Sequence, residues 1–275
     1  FEKMTSETKF LPSVLITGCS AGGIGSALAE AFHERGLYVF ATARSLDKMA
    51  HLEKLPNVTL LELDVTCDES IKATVATVAV QAGGKLNYLV NNSGQCIVMP
   101  ALETSIDKAK ELFDVNLWGV IAVTHAFAPL LIAAKGTIVN IASIAAFAHS
   151  PWLSIYSASK SALDTYSHTL RLELAPFGVE VVTVTAGTVK TNIYRGFQDS
   201  PLPEHSMYKA AATEITELAN GGLVAAAMLP STFARKVVGD LLRGASGTIW
   251  RGTFATSVWI LSFMPAWLVV CLSPT

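Results

Sequence analysis

Val14-Leu15-Ile16-Thr17-Gly18-Cys19-Ser20-Ala21-Gly22-Gly23-Ile24-Gly25 reads as an apolar β-strand, a glycine-rich turn and the first turn of a helix. Glycines let a backbone turn sharply and approach a pyrophosphate. The following helix N-terminus offers free N–H groups and the positive end of its dipole. A glycine cluster alone says little, because ordinary strand–helix turns carry glycines too. Here strand, loop and helix come in the order that a phosphate cradle requires. The same loop holds Gly18-Cys19-Ser20-Ala21-Gly22, formally a GxSxG. That pattern also marks a nucleophile elbow between strand and helix, which would make Ser20 a lipid esterase nucleophile. Such a hydrolase needs an acid and a histidine in later loops. His149, His168 and His205 follow without an evident acid–histidine context.

Outward from this stretch, short β-rich runs alternate with helical patterns. A helix over 25–35 is expected, with Gly36 as its C-cap. Strands are expected at 37–41, 58–63, 86–90, 136–141 and 179–185, with a short seventh at 248–250. Helical patterns run over 105–134 and 155–176. Such alternation predicts an α/β fold, a Rossmann-type doubly wound parallel sheet with helices on both faces. Two regions break the rhythm. The insertion 192–230, with Pro201, Pro203 and a helical tail, follows strand six. Ligands of open α/β sheets sit beyond the carboxyl ends of the strands, so this insertion is expected to form a lid over the substrate. The second region, 253–272, carries no charged residue. The expected organisation is one catalytic domain over 1–252, including the lid, and an apolar tail over 253–275.

The chain has 275 residues, 15% charged and 51% hydrophobic, enough to bury a large core. A formal charge of −2 and a pI near 6.3 give no reason to expect nucleic acid. A mean hydropathy of +0.43 is high for a soluble protein, and the tail contributes much of it. Cys19, Cys67, Cys96 and Cys271 are scattered, with no CxxC and no metal-ligand spacing, so no metal site is expected. A reduced, intracellular setting fits them best. No apolar segment flanked by lysine or arginine stands at the start of these residues, so no signal peptide is expected.

Cofactor choice is read at the end of the second strand. An acid there would hold the ribose hydroxyls of NAD, whereas an arginine suits the 2′-phosphate of NADP. The sequence Ala41-Thr42-Ala43-Arg44-Ser45 has no acid before Asp47. Arg44 can fork onto a phosphate, with Ser45 as a second donor, so NADP(H) is expected. Further on, Tyr156 stands four residues before Lys160, on one face of a helix. A lysine charge beside a phenol favours the phenolate, and a phenol tuned that way can exchange a proton near neutral pH.

Together these residues resemble the short-chain dehydrogenase/reductase family over almost the whole chain. The glycine loop is similar to the family's TGxxxGxG, with one extra residue before Gly23-Ile24-Gly25. The resemblance implies cofactor contacts from Gly18, Ser20, Gly23, Ile24, Gly25, Arg44 and Ser45. Asp64, followed by Val65, matches the residue that binds the adenine amino group. Asn91-Asn92-Ser93-Gly94 resembles NNAG, with serine for alanine, and places Asn92 and Gly94 at the cofactor. Ala186-Gly187-Thr188-Val189-Lys190-Thr191 resembles PGxVxT, with Ala186 for the proline, so Val189 and Thr191 would hold the nicotinamide carboxamide. Asn116, Ser143, Tyr156 and Lys160 match the catalytic set, with Tyr156 and Lys160 also contacting the cofactor. Each has a local alternative: Asp64 would serve to cap the next helix, Asn116 to bond within its own, and Ser143 as a loop hydroxyl. The implied reaction is hydride transfer between nicotinamide and a carbonyl carbon, with Tyr156 as proton donor.

Within the family, 135–139, Pro201-Leu202-Pro203-Glu204, 251–255 and the apolar tail with Pro265 and Trp267 resemble NADPH-dependent 1-acyldihydroxyacetone phosphate reductases. That likeness implies reduction of an acylated, phosphorylated ketone to lysophosphatidic acid. It also implies an intracellular place on the cytoplasmic side of the endoplasmic reticulum or a lipid droplet. An acyl chain needs an apolar groove and a phosphate needs cations, for which Lys190, Arg195 and Lys209 are candidates. A steroid or polyketide ketone is the alternative substrate, with the same fold and catalytic residues. The tail is long enough to span a bilayer, but Pro265 interrupts it. Trp259 and Trp267 suit an interface, so contact with a membrane is expected, with burial in a homo-oligomer as the competing arrangement.

Overall fold

The computed structural model describes residues 10–193, 202–222 and 227–265. Among these, the strands are β1 (Ser13–Ile16), β2 (Tyr38–Ala43), β3 (Val58–Glu62), β4 (Tyr88–Asn91), β5 (Thr137–Ser143), β6 (Glu180–Ala186) and β7 (Gly247–Arg251). They form one parallel sheet in the order β3-β2-β1-β4-β5-β6-β7. The order reverses between β1 and β4, which opens a crevice at their carboxyl ends. The helices are α1 (Ile24–His33), α2 (Asp68–Gln81), α3 (Ile106–Phe113), α4 (Gly119–Ala134), α5 (Ser154–Leu174), α6 (Ala212–Ala219), α7 (Pro230–Leu242) and α8 (Ala255–Leu261).

Strand side chains alternate between two faces, and the sheet is buried on both. Val14 and Ile16 of β1 join Leu28 and Phe32 of α1 and Phe233 and Val237 of α7 in one core. Leu15 points the other way, into a core with Phe127 and Leu131 of α4, Val78 of α2 and Leu170 of α5. Polar bonds cross the sheet where β4 and β5 meet. The Asn91 amide donates to Asn140 Oδ1 at 2.9 Å and to Thr124 Oγ1 at 3.1 Å, and Asn140 Nδ2 donates to Ser167 Oγ at 2.8 Å. These groups are buried, so breaking the chain of bonds would strand polar atoms away from water.

Several boundaries differ from the sequence reading. The first helix stops at His33, and Gly36 ends the turn that follows, at φ +80°. The helix expected over 105–134 is interrupted: a π-helical turn over Asp114–Trp118 separates α3 from α4. Hydrophobic spacing carries no sign of such a turn. α5 ends at Leu174, where Pro176 begins a tighter 3-10 turn over Ala175–Phe177. The stretch 106–134 is long and apolar enough to cross a membrane by composition. Val123, Phe127, Leu130 and Leu131 of this stretch pack in the core under the sheet, while Ile106, Trp118 and Ile132 are exposed, so this stretch accounts for part of the high hydropathy as the tail does.

The insertion leaves and rejoins the body at one neck. Lys190 N donates to Met228 O at 2.9 Å, and Met228 N donates to Thr188 O at 3.1 Å. The chain after β7 returns to the same loop, where Thr188 N donates to Thr253 O at 2.9 Å. α8 then buries Ala255 and Val258, while Phe254, Trp259, Ile260 and Phe263 stay exposed. Residues 266–275, with Trp267 and Cys271, lie outside the described residues.

Candidate active site

The crevice between β1 and β4 widens into a cavity of about 700 Å³. Its floor is the glycine loop. Ser20 to Gly23 form a tight turn, with Gly23 N donating to Ser20 O at 3.1 Å and Gly22 at φ +75°. That is the geometry of a type II turn, which needs a glycine at its third position. The extra residue of the loop is absorbed there. A Cβ on Gly25 would strike the Gly18 carbonyl and the Asn92 amide, so this position also requires glycine. Thr17 Oγ1 accepts from the N–H groups of Asn92 and Ser93 at 3.0 and 2.9 Å. Asn92 Nδ2 donates back to the Thr17 and Gly18 carbonyls at 2.8 and 3.1 Å. Gly18, Ser20, Gly23, Ile24, Asn92 and Gly94 all line the cavity, whereas Gly25 acts from behind the wall.

At one end of the cavity, Arg44 is exposed just past β2. A 3-10 helix over Leu46–Leu52 follows and turns back, its Lys48 carbonyl accepting from Ala21 N at 2.9 Å. This contact brings Lys48, a second cation after Arg44, to the cavity wall. Ser45 starts that helix and is not part of the wall. Asp64 and Val65 complete this end. Thr66 donates its backbone N–H and its hydroxyl to Asp64 Oδ1, at 2.9 and 2.7 Å. Those bonds, with the Arg44 charge as a lesser cause, hold the Asp64 carboxyl below its usual range. The helix that follows is entered through Cys67, so Asp64 does not cap it.

The other end gathers Ser143, Tyr156 and Lys160. Ser143 closes β5, and its Oγ accepts from Ala145 N at 3.1 Å, which leaves its own hydrogen available to a ligand. Tyr156 and Lys160 lie in the first turns of α5. The Lys160 ammonium is buried, donates to Ile141 O at 2.9 Å and stands 6.0 Å from the centre of the Tyr156 ring. Burial lowers its pKa to about 8, with nearby Cys96 acting weakly the other way. Burial pushes the Cys96 thiol up to about 12, so it stays protonated at neutral pH.

Asn116 sits in the π-helical turn, fully buried and behind the wall. Its Oδ1 accepts from Gln95 N at 2.8 Å, and its Nδ2 donates to Gln95 O at 2.9 Å and to Ser159 Oγ at 3.0 Å. The side chain therefore bonds across to a neighbouring loop rather than within its own helix. Its oxygen and the Lys160 ammonium both lie close to Gly94, where an added Cβ would be 3.4 and 3.5 Å from them.

Val189 and Thr191 line the cavity below the insertion, with Gln95, Ala148, Ser150, Leu153 and Ile193. Lys190 and Lys209 are exposed and absent from this wall, and Arg195 lies outside the described residues. Among the described residues no histidine lines the cavity beside Ser20, and His168 pairs with Asp164 at 3.7 Å and Thr248 at 3.3 Å. The GxSxG therefore forms a glycine turn between β1 and α1, without the base among the described residues that an esterase would need. Sequence reasoning missed Lys48, Gln95 and Ser159. Lys48 reaches the site through a backbone contact, and Gln95 takes part through its main chain, which residue type does not signal.

A glycine cradle at the reversal point of a parallel sheet, with a buried lysine beside a tyrosine at its far end, belongs to a dinucleotide-binding oxidoreductase. Comparison with known proteins narrows this. The short chain dehydrogenase family model matches residues 12–201, and the chain belongs to the short-chain dehydrogenase/reductase family. It is 48% identical to short-chain dehydrogenase ptmH of Penicillium ochrochloron, over 93% of this chain and 94% of that protein. It is 44% identical to the NADPH-dependent 1-acyldihydroxyacetone phosphate reductase of Schizosaccharomyces pombe, over 71% of this chain and 67% of that one. A short chain dehydrogenase from Burkholderia cenocepacia, solved in complex with NADP, superposes with a TM-score of 0.75 at 26% identity, covering 96% and 99% of the two chains.

Proposed function

We propose that this enzyme reduces a ketone to a secondary alcohol with NADPH. The carrying observation is the buried Lys160 ammonium, held by the Ile141 carbonyl and standing over Tyr156, in one cavity with Ser143 and the glycine loop. The cradle fits a dinucleotide: without a Cβ, Gly25 lets Gly18 and Asn92 pack closely behind the loop, and Arg44 and Lys48 of the cavity wall are cations to which a 2′-phosphate would bond. When bound, the nicotinamide nucleotide supplies the hydride. Ser143 donates a hydrogen bond to the carbonyl oxygen, and Tyr156 delivers the proton to that oxygen. Lys160 stabilises the resulting tyrosinate and binds the nicotinamide ribose. Asn116 fixes the Gln95 backbone beside Lys160 and positions a water on the path by which the proton is replaced. Val189 and Thr191 hold the carboxamide.

Arg44→Ala tests the cofactor. Losing charge-assisted bonds to a phosphate, about 1.5–3 kcal/mol, raises the KM for NADPH about 10- to 100-fold and leaves NADH kinetics unchanged. Equal effects on both cofactors, or equal wild-type activity with both, would overturn the NADP assignment.

The substrate named by resemblance is 1-acyldihydroxyacetone phosphate, giving lysophosphatidic acid, and the Schizosaccharomyces pombe relative supports it. The apolar wall of Ala148, Leu153 and Ile193 favours an apolar body on the ketone, which a steroid or polyketide intermediate also has. A panel of the acylated phosphate, its dephosphorylated form and steroid ketones ranks them by kcat/KM. Faster turnover of a phosphate-free ketone would displace the phospholipid reading. We further propose that exposed Phe254, Trp259, Ile260 and Phe263 meet a membrane surface, on the cytoplasmic side of the endoplasmic reticulum or a lipid droplet. Co-flotation with phospholipid vesicles, reduced by Trp259→Glu/Phe263→Glu, is the expected result. A soluble homo-oligomer that ignores vesicles would place this face between subunits instead.

A further inference from the structure

Trp152 stands two residues before α5 with its backbone at φ +67°. A bulky L-residue is strained there, and glycine or asparagine is the ordinary occupant. Four non-glycine residues among those described have positive φ. Asn57 is a residue type that tolerates this conformation, and Lys135 caps the end of α4. Strain that persists at a tryptophan asks for a compensating contact.

Trp152 makes contacts in two directions. Its carbonyl accepts from Met99 N at 2.8 Å, which ties it to the loop carrying Gln95 and Cys96. Its ring meets the Tyr208 ring edge-on, with centroids 5.5 Å apart and planes at 77°. Tyr208 belongs to the insertion, just before α6, and its N–H donates to Ser206 Oγ at 2.9 Å. Both rings pack on an apolar cluster that includes Tyr156, Leu153, Ile215 and Ile193. Leu153 and Ile193 line the cavity, whereas Trp152 itself stands one layer behind. The ring therefore joins the start of α5 to the insertion, whose Asn192 and Ile193 line the cavity.

We propose that Trp152 is a positioning residue that sets specificity: through Tyr208 it seats the insertion so that Ile193 is held with Leu153 against a large apolar ketone. This rests on the ketone-reductase reading of the same cavity. A small ketone reaches Ser143 and Tyr156 without needing that contact. A large one gains from the apolar wall only while the wall is held in place.

The test uses Trp152→Gly, Trp152→Ala and Trp152→Phe, with 2-dodecanone and acetone as probes. Trp152→Gly loses the ring and the strain, whereas Trp152→Ala loses the ring alone. Both are expected to raise the KM for 2-dodecanone about tenfold, with kcat, the KM for NADPH and acetone kinetics nearly unchanged. They should differ in melting temperature, the glycine variant being the more stable. Trp152→Phe restores most of the lost affinity. Trypsin cleavage after Lys209, next to Tyr208, is faster in both truncated variants, and this readout needs no substrate. Equal losses on both ketones, a KM that follows melting temperature rather than the ring, or unchanged cleavage at Lys209 would overturn the role given to Trp152. If the wild type reduces neither these ketones nor any ketone of the panel above, the reductase reading fails, and the cleavage rates alone decide whether Trp152 seats the segment.

Discussion

Tyr156→Phe lowers kcat by about 10²–10⁴-fold, the usual worth of a positioned proton donor, while NADPH still binds. The phenylalanine ring keeps the packing that Tyr156 makes with Leu153 and Ile215, so the fold is spared. What disappears is the hydroxyl. Among the described residues no other acid stands ready at that end: the Cys96 thiol is held protonated and buried, and Lys160 is already bonded to Ile141 O. NADPH affinity should fall by no more than one hydrogen bond, about 0.5–1.5 kcal/mol. Nucleotide fluorescence titration and steady-state kinetics on the same preparation separate the two effects. Near-normal turnover would remove Tyr156 from the mechanism, and loss of binding would make it a structural residue.

Lys160→Met has a comparable effect on rate, about 10²-fold or more, because the tyrosinate loses its counter-charge. It also has a signature in the stability of the unliganded protein. Burial lowers the Lys160 pKa from 10.5 to about 8. Below about pH 8 both folded and unfolded chains keep the proton, and the buried charge carries its full desolvation cost. Between about pH 8 and the unfolded value near 10.4, the folded chain releases the proton and the unfolded chain holds it. Folding is therefore increasingly favoured by this group as pH rises through that window, and the cost is gone above it. Methionine has no such dependence. The melting temperature of the wild type should gain on that of Lys160→Met as pH goes from 7 to 10. A gap that stays constant would mean that the lysine does not titrate in this range.

The strands, the cradle and the Tyr156–Lys160 pair were legible because each depends on neighbours in sequence. β-rich runs, a glycine at a turn and an i, i+4 spacing are local signals. Residues recruited over distance were not. Lys48 is a charged residue on an exposed turn until the Ala21–Lys48 bond folds that turn onto the cradle. Asn116 could be assigned by resemblance, yet its partners are main-chain atoms of Gln95 and the Ser159 hydroxyl, and the π-helical turn that presents it follows no hydrophobic period. Gly25 was placed at the cofactor and proves to matter for the closeness of Gly18 and Asn92 behind it. Ser45 was read as a donor from its place beside Arg44, but a helix start turns it off the wall.

The neck between Thr188, Lys190 and Met228 has a bearing on how such an enzyme changes its diet. Beyond Thr191 the chain leaves this neck and comes back to it at Met228, bonded there by main-chain atoms whatever side chains the excursion carries. Closing a loop costs little more as it lengthens, about 0.6 kcal/mol per doubling. Insertions, deletions and whole exchanges within it are thus cheap for the sheet below. Ser143, Tyr156 and Lys160, the residues proposed to move the proton, stand on β5 and α5, outside the excursion. Evolution can treat the two as separately replaceable parts, trading one substrate for another without rebuilding the machine that reduces it.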